Sequence, residues 1–177
     1  MSQNRIRLAD YVARFVRDQG VDCAFLVPGG GAMYLADAFG ATPGLRYVAN
    51  HHEQASSIAA EAYSRINGRL GCALVTTGPG GTNAVTGCAG AWIESVPLLI
   101  VSGQVKRADL IGVSGVRQMG PQEVDIVSIV RPITKYAVTV MDPADIRYHL
   151  ERAAHEATTG RRGPVWIDVP LDVQNSM

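Results

Sequence analysis

Charge is scarce and evenly split: 18% of the 177 residues are charged, with 16 Lys and Arg against 16 Asp and Glu. A net charge of zero provides no basic field to grip a phosphate backbone, and no block of like charge stands out, so nucleic-acid binding and polybasic membrane attachment are excluded as leading functions. Long apolar runs are missing as well. Val96 to Val101 falls far short of the roughly 20 residues of a membrane-spanning helix, and Met1-Ser2-Gln3-Asn4-Arg5 leads into no signal-type core. The sequence therefore reads as a soluble, cytoplasmic protein with no membrane partner. Cysteine is sparse, with Cys23, Cys72 and Cys88 at unpaired spacing among apolar or small neighbours. They read as buried thiols, not as disulfides or metal ligands. There is no Gly-Lys-Ser/Thr to make a nucleotide-phosphate loop and no Gly-x-Ser-x-Gly elbow to present a nucleophile, which removes triad hydrolases.

Apolar residues, in contrast, make up 47% of the chain. That excludes disorder and suffices for one domain with a sizeable core. Leu8, Val12, Phe15 and Val16 recur at helical spacing, giving a first helix that ends near Gly20. Short apolar strands then alternate with helices. The strands are Cys23 to Val27, Leu45 to Ala49, Cys72 to Thr76, Leu98 to Ser102, Ile133 to Val140 and Pro164 to Val169. Between them lie helices Ala32 to Phe39, His51 to about Asn67, Thr82 to Ser95, Glu123 to Val130 and Pro143 to Thr159. Strands apolar throughout, alternating with helices, predict an α/β fold of three layers: a mostly parallel sheet covered on both faces.

In such sheets ligands bind beyond the carboxyl ends of the strands. Four places qualify: Val27 to Gly31, Asn50 to Gln54, Thr76 to Asn83, and Gly103 to Gln122, the longest irregular stretch. Gly78-Pro79-Gly80-Gly81 reads equally as a ligand-contacting turn and as a tight strand-to-helix connection. Gly29 and Gly31, with Glu53 further on, come near a dinucleotide fingerprint, but Tyr34 stands where the third glycine belongs. Glu53 sits where a buried strand meets an Ala-rich helix, so its carboxylate is either an ordinary helix-start acid or a ligand contact. His51 and His52 are adjacent, point apart and find no third ligand at matching spacing, which argues against a metal site. His149 and His155 fall on a helix that reads as solvated.

The ordered motifs break the tie. His52-Glu53-Gln54, Ala59 to Arg65, Thr76-Thr77-Gly78-Pro79-Gly80-Gly81-Thr82-Asn83, Val27-Pro28-Gly29-Gly30, Ser95-Val96-Pro97, Ser102-Gly103-Gln104-Val105, Gln122 to Val127 and Pro132-Ile133-Thr134-Lys135 together span nearly the whole chain. In this combination the sequence resembles the pyrimidine-binding domain of thiamine-diphosphate enzymes, most of all acetolactate synthases. The resemblance implies a thiamine-diphosphate-binding fold with flavodoxin-like winding, over a single domain from residue 1 to 177. It implies that Glu53 hydrogen-bonds the N1′ nitrogen of the cofactor's aminopyrimidine and favours the imino tautomer that activates the thiazolium for attack on a 2-oxo acid. The cofactor is the electron sink, and the protein supplies orientation and electrostatics. By the same matching, Val27, Pro28, Gly29, Thr76, Pro79 and Asn83 line the pyrimidine pocket, and Gln122 reaches toward the reacting carbon. Three departures fall on the substrate side: a longer segment between Gln104 and Gln122, Pro121 in place of a phenylalanine, and His51 in place of an arginine.

Enzymes of this type hold the diphosphate through Mg2+ on a Gly-Asp-Gly motif followed by Asn, and no Gly-Asp-Gly occurs here. The expectation is a chain inactive by itself. It needs a diphosphate-binding domain or subunit as partner, self-associates through the crevice face, and is either an excised domain or a split subunit. The flavin that acetolactate synthases bind through another domain is not carried over. Two other classes stay open, a dinucleotide-binding oxidoreductase domain and a noncatalytic assembly module.

Overall fold

The computed structural model describes residues 5–177; Met1 to Asn4, part of the stretch read as leading into no signal-type core, lie outside the described residues. Its sheet comprises β1 (Cys23–Leu26), β2 (Arg46–Ala49), β3 (Gly71–Val75), β4 (Leu98–Gln104), β5 (Tyr136–Thr139) and β6 (Pro164–Pro170). The strands run parallel in the order β2-β1-β3-β4-β6-β5. The first four follow the expected flavodoxin-like winding. β6 then inserts beside β4 and leaves β5 at the edge. The helices are α1 (Leu8–Asp18), α2 (Met33–Ala41), α3 (Glu53–Asn67), α4 (Pro79–Ile93), α5 (Ile126–Val130), α6 (Ile146–Thr158) and α7 (Leu171–Gln174).

The period-two alternation of the strands divides the apolar residues between two cores. Cys72, Leu74, Leu99, Val101, Val165 and Ile167 face α1, α2 and α6. Ala73, Val75, Leu98, Ile100 and Trp166 face α3, α4 and α5. Burial on both sides is why the central strands carry unbroken apolar runs. The second core is thin because its helices approach closely: a Cβ at Gly71 would overlap the Ala60 carbonyl oxygen, and one at Gly87 would overlap Ser57.

Several boundaries differ from the sequence reading for local reasons. β2 is exposed along its length, with Tyr47 and Val48 open to solvent, because an edge strand lacks one neighbour. α4 begins at Pro79 and not at Thr82, since proline is pre-set for the first helical position, where its missing N–H costs nothing. α5 begins only at Ile126: Asp125 caps it by accepting from the Ser128 amide at 3.1 Å, while Glu123 is engaged elsewhere. β5 is confined to four residues, because Arg131–Ile133 form a 3-10 turn. α7 is too short to leave a periodic signature in the sequence.

Candidate functional site

The winding reverses at β1, with β2 on one side and β3 on the other, and a crevice opens beyond the carboxyl ends of β1 and β3. Two turns face each other there. The first runs from Val27, whose amide donates to the Leu74 carbonyl at 3.3 Å, to Gly31. The second runs from Thr76 to Gly80. A Cβ at Gly29 would fall 2.5 Å from Thr76 Cγ2, and one at Gly80 would fall 2.7 Å from the same methyl and 3.5 Å from Glu53 Oε1. These two glycines therefore admit the Thr76 side chain as a shared floor between the turns.

Glu53 is the first residue of α3 and only 9% exposed. Its position follows from the local sequence: β2 ends at Ala49, three residues turn the chain, and His52 caps the helix by accepting from the Gln54 amide at Nδ1, 3.1 Å away. His52 thus has a structural task that the sequence reading left open, and both His51 and His52 are exposed. Glu53 Oε2 accepts from Asn83 Nδ2 at 2.9 Å. Among the described residues, Oε1 makes no hydrogen bond. Glu53, Thr76 and Asn83 therefore converge, framed by Gly29 and Gly80. Pro28 and Pro79 lie exposed at the rim, and Val27 is half-buried at the base of the first turn.

Gln122 lies on the far side of the second turn and makes no hydrogen bond to Glu53. It holds φ 58, one of two non-glycine residues at positive φ among those described. Its carbonyl presses on Gly78, where a Cβ would overlap the oxygen. With Gly30, Gly31, Thr77, Gln104 and Lys106 it lines a cleft of about 310 Å³. Three larger clefts, about 480, 420 and 380 Å³, lie beside Tyr11 and Arg147, beside Trp92 and Arg161, and beside Leu110 and Glu123, and none of them is lined by Glu53, Thr76 or Asn83. Size alone does not identify the site. Among the described residues, no group of three or more His, Cys, Asp or Glu side chains could hold a metal ion, and no helix is long and apolar enough to cross a membrane.

The sequence reading missed four buried polar side chains that shape this crevice. Glu123 accepts from the amides of Ile111, Met119 at 3.3 Å and Gly120 at 3.2 Å, which ties down the long segment after β4. Gln174 of α7 donates to the Gly31 carbonyl at 2.7 Å and the Val169 carbonyl at 2.8 Å, which holds the first glycine turn from below. Gln104 and Asp168 bond to each other at 3.2 Å. Burial pushes the Asp168 carboxyl up to about 7, against the opposing effect of hydrogen bonds from Ser102, Gln104 and Thr139. The legible signal for Asp168 is a lone acid within the apolar run Val165-Trp166-Ile167-Asp168-Val169. Of the two helix histidines, His155 is exposed as expected. His149 is half-buried, with Nδ1 2.6 Å from the Tyr136 hydroxyl, and burial lowers its imidazole.

Comparison with known proteins converges on one family. The family described as thiamine pyrophosphate enzyme, N-terminal TPP binding domain, matches residues 6–129. The acetolactate synthase large subunit of Haemophilus influenzae is 41% identical over 167 residues, covering 94% of this chain and 28% of that protein. The acetolactate synthase isozyme 3 large subunit of Escherichia coli is 41% identical with the same coverage, 94% and 28%. The chloroplastic acetolactate synthase of Arabidopsis thaliana is 41% identical over 169 residues, 96% of this chain and 24% of that protein. The chain thus spans about a quarter of the length of these relatives. With a parallel sheet wound as the motifs predicted and the family's match running over most of its length, the chain belongs to the thiamine pyrophosphate enzymes, as their N-terminal TPP-binding domain.

Proposed function

We propose that this chain is a single domain that binds the aminopyrimidine end of thiamine diphosphate and works on a 2-oxo acid, by decarboxylation or carboligation, once joined to a diphosphate-binding domain or subunit. One observation carries the reading. A carboxyl group shielded from water at a helix start has one oxygen bonded to Asn83 and the other free, beside a floor that only glycines leave open. A flat nitrogen heterocycle fits these residues, because Gly29 and Gly80 let the Thr76 side chain close a floor between the two turns and Oε1 is available to a ring nitrogen.

When bound, the cofactor supplies the electron sink for cleavage or formation of a bond next to a carbonyl. The protein's part is positional and protonic. Glu53 holds or shares a proton with the ring nitrogen at Oε1, and Asn83 fixes the other oxygen so that the carboxyl cannot rotate away. Thr76 and Gly29 would support the ring, Val27, Pro28 and Pro79 would border it, and Gln122 would stand on the substrate side. Mg2+ and the diphosphate belong to the partner half, since this chain has no Gly-Asp-Gly. The segment after β4 exposes Val113, Val116 and Met119, an apolar rim suited to a partner, which includes a second copy of this chain.

Complementation tests the reading. The chain alone, with thiamine diphosphate and Mg2+, should show no turnover of pyruvate and a shift in melting temperature below about 1 °C. Adding a diphosphate-binding half should restore turnover and raise the melting temperature, because a ligand that binds only the native state stabilises it. Turnover by the chain alone would contradict the proposal.

A further inference from the structure

Gln104 closes β4 and is 3% exposed. Its side-chain amide makes four hydrogen bonds. Nε2 donates to the Val124 carbonyl at 3.0 Å and to Asp168 Oδ2 at 3.2 Å. Oε1 accepts from the Val105 amide at 2.9 Å and lies 2.9 Å from the Thr77 hydroxyl, which reaches the Gly103 carbonyl at the same distance, 2.9 Å. The chemistry of the partners fixes which way the amide points. Val105 N–H can only donate and the Val124 carbonyl can only accept, so oxygen must face the first and nitrogen the second.

Asp168 anchors this amide. Its carboxyl takes the Ser102 hydroxyl at 2.5 Å and the Thr139 hydroxyl at 3.1 Å as well as Gln104, and the Trp166 indole N–H donates to Ser102 Oγ at 2.8 Å. No cation bonds to Asp168 among the described residues; Asp125 is the other charge acting on it. Such a node is costly to build in a dry interior, because every unmet donor or acceptor there carries a desolvation penalty. What it joins is informative. Thr77 follows Thr76 on the turn after β3, and Val124 follows Gln122 by two residues on the segment after β4. Apart from Gln104, those two pieces meet where the Gln122 carbonyl packs on Gly78.

We propose that Gln104, anchored by Asp168, is a positioning residue that holds the Thr76 turn and the Gln122 segment in register, so that the cofactor side and the substrate side of the site keep one geometry. The inference rests on the reading of Thr76 and Gln122 as groups facing cofactor and substrate. Gln104 itself touches neither.

Gln104→Met keeps the side-chain volume and removes all four bonds, and is tested in the chain assembled with its diphosphate-binding half. One arm needs no cofactor. Amide hydrogen exchange should quicken at least tenfold at Val105, Gly120, Glu123 and Gly80, and stay unchanged at Leu74 and Ile100 in the sheet. In the second arm, with thiamine diphosphate, Mg2+ and pyruvate as the probe 2-oxo acid, kcat should fall at least tenfold while the dissociation constant for the cofactor changes less than threefold. Exchange that quickens uniformly, or not at all, overturns the coupling. Local quickening with kcat within twofold of wild type overturns the positioning role. Failure of the cofactor reading is separable, because it would appear as full turnover in Glu53→Gln with the exchange result intact. Should Gln104→Met not fold, Gln104→Glu carries the test. Two facing carboxyls can bridge only while they share a proton, so the activity of this variant relative to wild type should drop at least tenfold between pH 5.5 and 8.5, and a ratio independent of pH overturns the proposal.

Discussion

Replacing Gly78 by alanine separates two costs that the backbone imposes at the centre of the site. Gly78 holds φ 58 and ψ −117, a conformation that L-residues scarcely populate and that costs a non-glycine residue roughly 1–3 kcal/mol. A methyl there would also overlap the Gln122 carbonyl oxygen and lie 3.0 Å from its carbonyl carbon, so the Gln122 segment must move. Gly68 is the control. It ends α3 at φ 67 and ψ 10 with nothing within 4 Å of a Cβ, so alanine there meets only the left-handed penalty, about 1 kcal/mol. Urea denaturation followed by circular dichroism should therefore rank Gly78→Ala below Gly68→Ala by about 2 kcal/mol or more. Hydrogen exchange around Gln122 should rise only in Gly78→Ala. If the two variants lose stability within about 0.5 kcal/mol of each other, the Gln122 segment is not packed against the turn, and the joined geometry described for the site is wrong.

Two further predictions concern buried ionisable groups. Asp168 titrates in the folded protein at about 7 against an ordinary 3.8, so the native state takes up a proton at higher pH than the unfolded chain. The stabilisation is complete below the unfolded value and lost as pH rises through about 7; it is on the order of a few kcal/mol across that window. Denaturation between pH 5 and 8.5 should show wild type losing stability relative to Asp168→Asn as pH rises. His149, lowered from 6.5 by burial, adds an opposite slope that cancels in this comparison. A constant difference between the two proteins would show that Asp168 is ionised throughout. Burial likewise pushes the Cys72 and Cys88 thiols up to about 12, so almost no thiolate forms at pH 8. Ellman's reagent should leave both unmodified in the folded protein and react with both in urea; rapid labelling of Cys88 in the native state would contradict its placement against the Ile133 carbonyl.

The central strands were legible because burial on both faces forces unbroken apolar runs, and the turns because glycine and proline punctuate them. Glu53 could be singled out on the same basis, from its place between a strand and a helix. β2 misled, since its Tyr47 and Val48 look like core residues in a string of letters but stand at an uncovered edge. Gln104 and Gln174 were hidden for a different reason, and Asp168, visible as a lone acid in an apolar run, gave no hint of its partners. Each has a partner across a long sequence separation, as Gln174 does in the Gly31 carbonyl, and no local spacing encodes a hydrogen bond of that kind. Glu123 was legible as a helix start, but its carboxylate instead ties down backbone amides of the preceding segment.

The most direct test of the central claim is the turnover of Glu53→Gln in the assembled enzyme, measured beside its stability. Glutamine can still accept from Asn83, so folding should be retained to within about 1 kcal/mol, while the loss of a group that moves a proton should lower kcat by roughly 10²- to 10⁴-fold. A stable variant that turns over a 2-oxo acid at the wild-type rate would show that the Glu53 carboxyl does no proton work, and the functional account would fail.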